Sequence, residues 1–158
     1  MQRESTRERL RALSLPRIVM HIFDGQVPHP ALCDICASPL YVYARGTKLP
    51  SCDLIPLWEN GVVVTAFQAE SKSSRFIQFS LEQPSSVEML GPTFQSAAGD
   101  VLIELWELEH PDETLKVIAD LFEFHHLPRL IAECSQRSAH EPELDCRAWR
   151  SKFLVSCT

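Results

Sequence analysis

Glycine is scarce in this chain, with five residues among 158. A backbone that cradles a phosphate group usually needs several glycines close together, and neither a phosphate loop nor a G-x-G-x-x-G pattern is present. The G-x-S-x-G pattern of serine hydrolases and the H-E-x-x-H pattern of zinc proteases are missing as well. The sequence therefore offers no recognisable starting point for catalysis, and we expect a protein that is not an enzyme.

Long apolar runs are also missing, since none approaches the roughly 18 residues that a membrane span requires. The N-terminal segment mixes arginine with glutamate, and Pro16, Arg17 and His21 interrupt its apolar part, so it does not resemble a secretory signal. We therefore expect a cytoplasmic protein with no membrane partner. In that compartment the six cysteines are expected to be free thiols.

Positive charge is in deficit, because 15 Lys and Arg accompany 21 Asp and Glu and the formal net charge is −6. Such a molecule repels phosphate backbones and anionic lipids, which argues against direct binding to nucleic acid. Most of the deficit lies between Glu82 and Glu123, where ten acidic residues accompany a single basic one, Lys116. A partner for that region should be basic.

What is present suits one globular domain: 45% of the residues are hydrophobic and 23% are charged. We predict a single α+β domain over residues 1–158. It should contain a short helix with frayed ends in 1–15, mainly strands in 16–90 and mainly helices in 92–158. The sheet is expected to be mostly antiparallel, with the C-terminal helices covering one of its faces.

Strands are predicted where β-branched and aromatic residues lie between turn residues. Such runs are 17–23, 40–44, 62–69, 75–81 and 87–90. The third and fourth runs predict an antiparallel hairpin, and the third is apolar on both faces, which is typical of a central strand. Pro56 restricts the segment 53–58 to a sheet edge or a lead-in position, because proline donates no backbone hydrogen bond.

After Gly91-Pro92 the apolar spacing becomes helical. Helices are predicted from about 94 or 99 to 108, from 111 to about 124 and from 128 onward, and 146–155 is the final stretch of this mainly helical region. On the first of them Asp100, Glu104 and Glu107 lie at i, i+4 and i+7, and we expect them on one face, opposite the buried side. Like charges at this spacing cost a helix a few tenths of a kcal/mol per pair, so a sequence selected for stability alone would avoid them.

This charge pattern predicts an acidic docking surface, on which complementary charge speeds association with a basic partner and fixes its orientation. The expected partner-binding residues are Asp100, Glu104, Glu107, Glu109, Asp112 and Glu113. The alternative interpretation is a solvated face that only keeps the protein soluble.

The pair Cys33-x-x-Cys36 lies in a proline-containing loop, and Cys52 follows at a distance. With His29 or His21 these thiols could supply a Cys₃His zinc site, which would make the protein a small zinc-stabilised regulatory module. The simpler interpretation is that the cysteines are small apolar residues packed under a loop. A catalytic cysteine with His29 as its base is a third hypothesis, although nothing nearby provides an oxyanion donor.

The segment LIPLWENG at 54–61, followed by the hairpin and by the helix that carries Leu102 to Trp106, resembles the SUKH superfamily. That superfamily includes bacterial immunity proteins and fungal regulators of cell-wall synthesis. The resemblance covers roughly residues 50–124, and the residues that match its motif are Trp58, Asn60 and Gly61.

The resemblance implies an α+β fold and stoichiometric protein binding without catalysis. Bacterial members of the superfamily neutralise toxin domains, often nucleases, that are encoded beside them. Nucleases are typically basic because they hold phosphates, so an acidic inhibitor surface agrees with this role. We therefore expect an immunity or interaction protein of a toxin–antitoxin kind, which binds a basic protein partner.

Overall fold

One antiparallel sheet and a set of helices form the molecule, and a computed structural model describes residues 3–44, 53–69, 74–137 and 143–158. Within these residues the helices are α1 Arg3–Ala12, α2 Arg17–Phe23, α3 Leu40–Ala44, α4 Phe94–Glu107, α5 Asp112–Leu121, α6 Leu127–Ser135 and α7 Glu143–Val155. The strands are β1 Leu54–Asn60, β2 Val63–Ala69, β3 Ser74–Ser80 and β4 Val87–Gly91, in the order β1-β2-β3-β4. The predicted α+β fold is confirmed.

The predicted hairpin is the centre of this sheet. Strands β2 and β3 pair without a register shift from Val63 opposite Ser80 to Ala69 opposite Ser74, and β2 lies between β3 and β1 as its apolar faces predict. Strand β1 is an edge strand, which is the position that Pro56 allows, and its register shifts between Pro56 and Trp58.

Two of the predicted strands are wrong, because residues 17–23 and 40–44 form helices. In α2 the residues Ile18, Val19, Ile22 and Phe23 are all buried, and a helix brings this spacing onto one side. Burying that side stabilises the helical conformation of residues 17–23 by more than the β-propensity of these residues disfavours it. Helix α3 is a single turn of five residues, of which only Val42 is buried.

The strands bury different side chains on their two faces, as their alternation requires. One face contributes Ile55, Trp58, Phe76 and Leu90 to the main core, which also contains residues of α1, α2 and α4 to α7. The other face contributes a smaller cluster in which sheet residues pack with Val42 of α3. No helix of the described ranges is both long and apolar enough to cross a membrane.

Aromatic rings fill the main core where the start of α4 meets the sheet. The rings of Phe94 and Phe122 stack at 6.1 Å between centroids, and the edge of Trp58 meets Phe122 at 5.7 Å. Phe76 of β3 lies 5.9 Å from Phe94. This group is called the aromatic core below, and edge-to-face pairs of this kind are favourable beyond the area that they bury.

The C-terminal end of α7 is fixed beside the start of α4. Ser96 donates a hydrogen bond from Oγ to the carbonyl oxygen of Leu154 at 2.8 Å, and Thr93 donates one from Oγ1 to that of Cys157 at 2.5 Å. A Cβ atom at Gly91 would overlap the side chain of Ser96, so the approach requires glycine there. These contacts hold the helix that carries Arg150.

Candidate functional site

A cavity of about 230 Å³ lies between the helix-facing side of the sheet and the second half of α4. We call it the acidic cavity. Its polar lining consists of Asn60, Thr65 and Gln78 from the strands, Asp100, Glu104 and Glu107 from α4 and Arg150 from α7. Its apolar wall consists of Ile35, Trp58, Val63 and Val101.

Local periodicity explains how these side chains meet. Val63 and Thr65 are two positions apart on β2 and so face the same side of the sheet, and Gln78 is the cross-strand partner of Thr65. On α4 the three carboxylates recur every three or four residues, as the sequence indicates. The predicted clustering of Asp100, Glu104 and Glu107 on one side of the helix is therefore present.

The predicted orientation of that side is wrong for Asp100, which is 3% exposed. Its Oδ2 accepts a hydrogen bond of 2.6 Å from Gln78 Nε2, and its Oδ1 accepts one of 2.9 Å from Arg150 Nε. Arg150 Nη2 also lies 2.8 Å from Oδ1, so the two residues form an ion pair. Burial of this carboxylate is tolerated because a charged and a neutral donor both satisfy it.

Arg150 is the residue of this site that sequence reasoning missed. Its Nη1 lies 3.0 Å from Glu107 Oε2, so one guanidinium bridges Asp100 and Glu107. Burial opposes the positive charge of Arg150, but the neighbouring carboxylates of Asp100 and Glu107 raise its pKa, and it stays charged. Asp100 and Arg150 are 50 residues apart in the chain, so no local sequence pattern indicates that they pair.

Glu104 is bound differently from Asp100, one helical turn away. Its Oε1 accepts a hydrogen bond of 2.6 Å from Asn60 Nδ2, and among the described residues no other side chain donates to it. Burial raises the pKa of Glu104, and the charge of Asp100 raises it further, while Arg150 offsets only part of the shift. Three carboxylates thus share one cation, which leaves the fully ionised cavity with two excess negative charges.

The remaining predicted residues are all exposed: Glu109 lies in the turn after α4, and Asp112 and Glu113 begin α5. We call them the acidic ridge. Asp112 and Glu113 occupy the first turn of α5, where carboxylates stabilise the positive end of the helix dipole. Glu109 has a left-handed backbone with φ of 59°, a conformation that favours glycine. The ridge is accessible to a partner, but part of its charge also serves α5.

The motif residues have distinct positions. Trp58 is 2% exposed and belongs to the aromatic core, although it also lines the cavity. Gly61 has φ of 57° and forms the turn between β1 and β2. Asn60, which precedes it, reaches Glu104, so the turn motif and the carboxylate meet at one point.

The two cysteines of the Cys33-x-x-Cys36 pair lie in different environments, because Cys33 is exposed and Cys36 is fully buried. Burial raises the pKa of the Cys36 thiol well above its ordinary value, and Glu104 and Asp100 add to the effect. A zinc ligand or a nucleophile needs the thiolate, which this environment disfavours. Cys52, the third proposed zinc ligand, lies outside the described residues.

His29 uses Nδ1 to accept a hydrogen bond of 3.2 Å from the backbone of Ala31, at the start of a single 3₁₀ turn. In the part of the chain that the structure describes, no group of three or more His, Cys, Asp or Glu side chains is arranged to hold a metal ion.

Compared with protein-family models, with curated proteins and with solved structures, the chain matches none of them. The resemblance of residues 54–61 to the SUKH superfamily therefore stays a prediction. Any function has to be argued from the acidic cavity and its surroundings.

Proposed function

We propose that this chain is a non-catalytic binding domain that docks a basic protein partner over the acidic cavity and the acidic ridge. The observation that carries the proposal is the unbalanced charge of the cavity, where Asp100, Glu104 and Glu107 surround the single guanidinium of Arg150. The acidic ridge, which begins two residues after Glu107 in the chain, adds three exposed carboxylates.

The imbalance is unfavourable for the isolated protein. Glu104 is partly buried beside a second carboxylate, and its raised pKa means that ionising it in the folded protein costs free energy. Glutamine would keep the hydrogen bond from Asn60 without this cost. Residues that lower the stability of the isolated protein are expected at functional sites, where a partner supplies the missing interaction.

A basic partner would supply positive charge at this position, and complementary charge raises the association rate as well as fixing orientation. A nuclease toxin domain has suitable chemistry, because such domains hold phosphates with basic surfaces. This agrees with what the SUKH resemblance implies, namely an immunity or interaction protein of a toxin–antitoxin pair that acts in the cytoplasm.

The test uses the basic protein or domain that is encoded beside this chain in its genome. Isothermal titration should give a 1:1 complex whose affinity falls strongly between about 50 and about 500 mM NaCl. Reversing the ridge with Glu109→Lys, Asp112→Lys and Glu113→Lys should weaken binding at least about a hundredfold at low salt.

The matched control reverses three exposed acidic residues outside the site, with Glu8→Lys, Asp34→Lys and Glu82→Lys. It changes the net charge of the protein by the same amount. If this control weakens binding as much as the ridge variant does, only net charge matters and the proposed surface is wrong. Absence of a complex with a basic neighbouring protein would count against the function itself.

A further inference from the structure

We infer that the acidic cavity is an anchor pocket, which receives the guanidinium or ammonium group of one arginine or lysine side chain of the partner beside Glu104. This inference rests on the proposed function and describes its partner more closely. The acidic ridge then attracts the basic surface as a whole, while the cavity holds one side chain of it.

Arg150 already demonstrates that this lining suits a guanidinium. Its three nitrogens engage Asp100 and Glu107 at 2.8 to 3.0 Å. Both carboxylate oxygens of Asp100 are bonded, one to Arg150 and the other to Gln78. Asp100 is therefore satisfied and is not the carboxylate that awaits a ligand.

Glu104 is the carboxylate with binding capacity left. An ionised carboxylate accepts at two oxygens, and among the described residues the hydrogen bond from Asn60 satisfies only Oε1. Arg150, the cation of this lining, forms its ion pairs with Asp100 and Glu107 and not with Glu104. A donor with positive charge fits the second oxygen.

The apolar wall specifies the kind of cation. Arginine and lysine carry their charge on a methylene stem that packs on apolar surface, and Ile35, Val63 and Val101 provide such a surface beside the carboxylate. A metal ion would need several free oxygen ligands, and the cavity offers one carboxylate that is not committed to Arg150. The volume of about 230 Å³ is several times the roughly 30 Å³ of one water, so a guanidinium with part of its stem has room.

The first experiment titrates the intact protein with n-propylguanidinium and follows the side-chain amide signals of Asn60 and Gln78 by NMR. We expect saturable shifts with a dissociation constant of about 1–10 mM, as befits one charged group. The amide of Gln95, at the far end of α4, is the internal reference and should not move. Neutral n-propylurea and the donor-free tetramethylammonium ion should give no saturation at the same concentrations. Shifts that are linear, or equal for all three compounds, would overturn the inference.

The second experiment compares Glu104→Gln with Glu109→Gln. The two variants remove the same charge, one inside the cavity and one on the ridge. Glu104→Gln retains an acceptor for Asn60. It should lower the affinity for n-propylguanidinium and for the protein partner at least about tenfold. Glu109→Gln should change the affinity for n-propylguanidinium by no more than about twofold. Equal effects of the two variants would contradict an anchor in the cavity.

The outcomes separate this inference from the proposed function. If the ridge reversal weakens the partner but Glu104→Gln does not, docking stands and the anchor pocket is wrong. If no basic partner binds, the proposed function and the inference both fail. A salt-dependent dimer of the free protein that Glu104→Gln abolishes would show that the occupant is an arginine of a second copy, which also overturns the inference as stated.

Discussion

The two halves of helix α4 pack against the same side of the sheet in opposite ways. In the first half, Phe94 enters the aromatic core and Ala97 and Ala98 are fully buried. In the second half, Glu104 and Glu107 border a cavity whose cation, Arg150, pairs with Glu107 and Asp100 but not with Glu104. The comparison teaches that the first half packs mainly through apolar contact, whereas the second half buries Leu102, Ile103 and Leu105 in the core and also keeps space and charge beside them.

The largest expected effect removes a ring that packs against the first half of α4. Phe122→Ala should lower the free energy of unfolding by about 3–5 kcal/mol, because the fully buried ring packs against Phe94 and Trp58 and leaves a cavity behind. Urea denaturation measures the change. A loss below about 1 kcal/mol would mean that this half is not the tightly packed one.

The next effect concerns the cation of the second half. Arg150→Met should cost about 2–3 kcal/mol, because buried Asp100 loses its charged donor and retains only Gln78. Adding Asp100→Asn should recover part of the loss, and the double-mutant cycle measures the coupling. Strictly additive losses would show that the two groups do not stabilise each other.

A smaller effect sharpens the comparison at the helix ends. Glu109 and Glu123 follow α4 and α5 with left-handed backbones of φ 59° and 52°, where glycine is preferred. Glu109→Gly and Glu123→Gly should each raise stability by about 0.5–1 kcal/mol, which thermal unfolding measures. Only Glu109→Gly should lower the affinity for the basic partner. A similar loss of affinity in Glu123→Gly would place binding outside the ridge.

The smallest effect is the pH dependence of the free energy of unfolding that the titration of Glu104 causes. Burial raises its pKa above the ordinary 4.5, so the folded protein holds this proton more tightly than the unfolded chain does. The stabilisation is present in full below the unfolded pKa and is lost as the pH rises through the folded pKa. Glu104→Gln should therefore gain about 0.3–0.5 kcal/mol over the wild type at about pH 7.

The same comparison at about pH 4 should give almost no gain, because the wild-type carboxyl is then protonated in both states. Urea denaturation of the two proteins across this range gives the curve. A gain that is the same at both pH values would show that the charge of Glu104 is not what costs stability.

Local patterns were enough to predict the hairpin, the exclusion of β1 from a central position and the first helices after Gly91, because each depends on neighbours close in the chain. Residues 17–23 misled the prediction, since β-branched side chains also pack on one side of a helix once tertiary contacts reward it. The three small residues Ala97, Ala98 and Gly99 before Asp100 were a usable signal that this part of α4 approaches its neighbours closely.

The candidate site was predictable only in part. The spacing of Asp100, Glu104 and Glu107 placed three carboxylates on one side of α4, but their partner Arg150 lies on another helix. No periodicity connects residues so far apart, and therefore burial of Asp100 could not be foreseen. The link from Asn60 to Glu104 was hidden for the same reason, although both residues had been singled out separately.

The hydrogen bonds from Ser96 to the last turn of α7 and from Thr93 to Cys157 just after it have a practical consequence for protein engineering. Trimming the chain before Leu154 would remove both acceptors and release the segment that delivers Arg150. In the trimmed protein the ion pairs of Arg150 with Asp100 and Glu107 would lose this support. Deletions at this end thus weaken the placement of one charge in a site that is formed mostly by other parts of the chain.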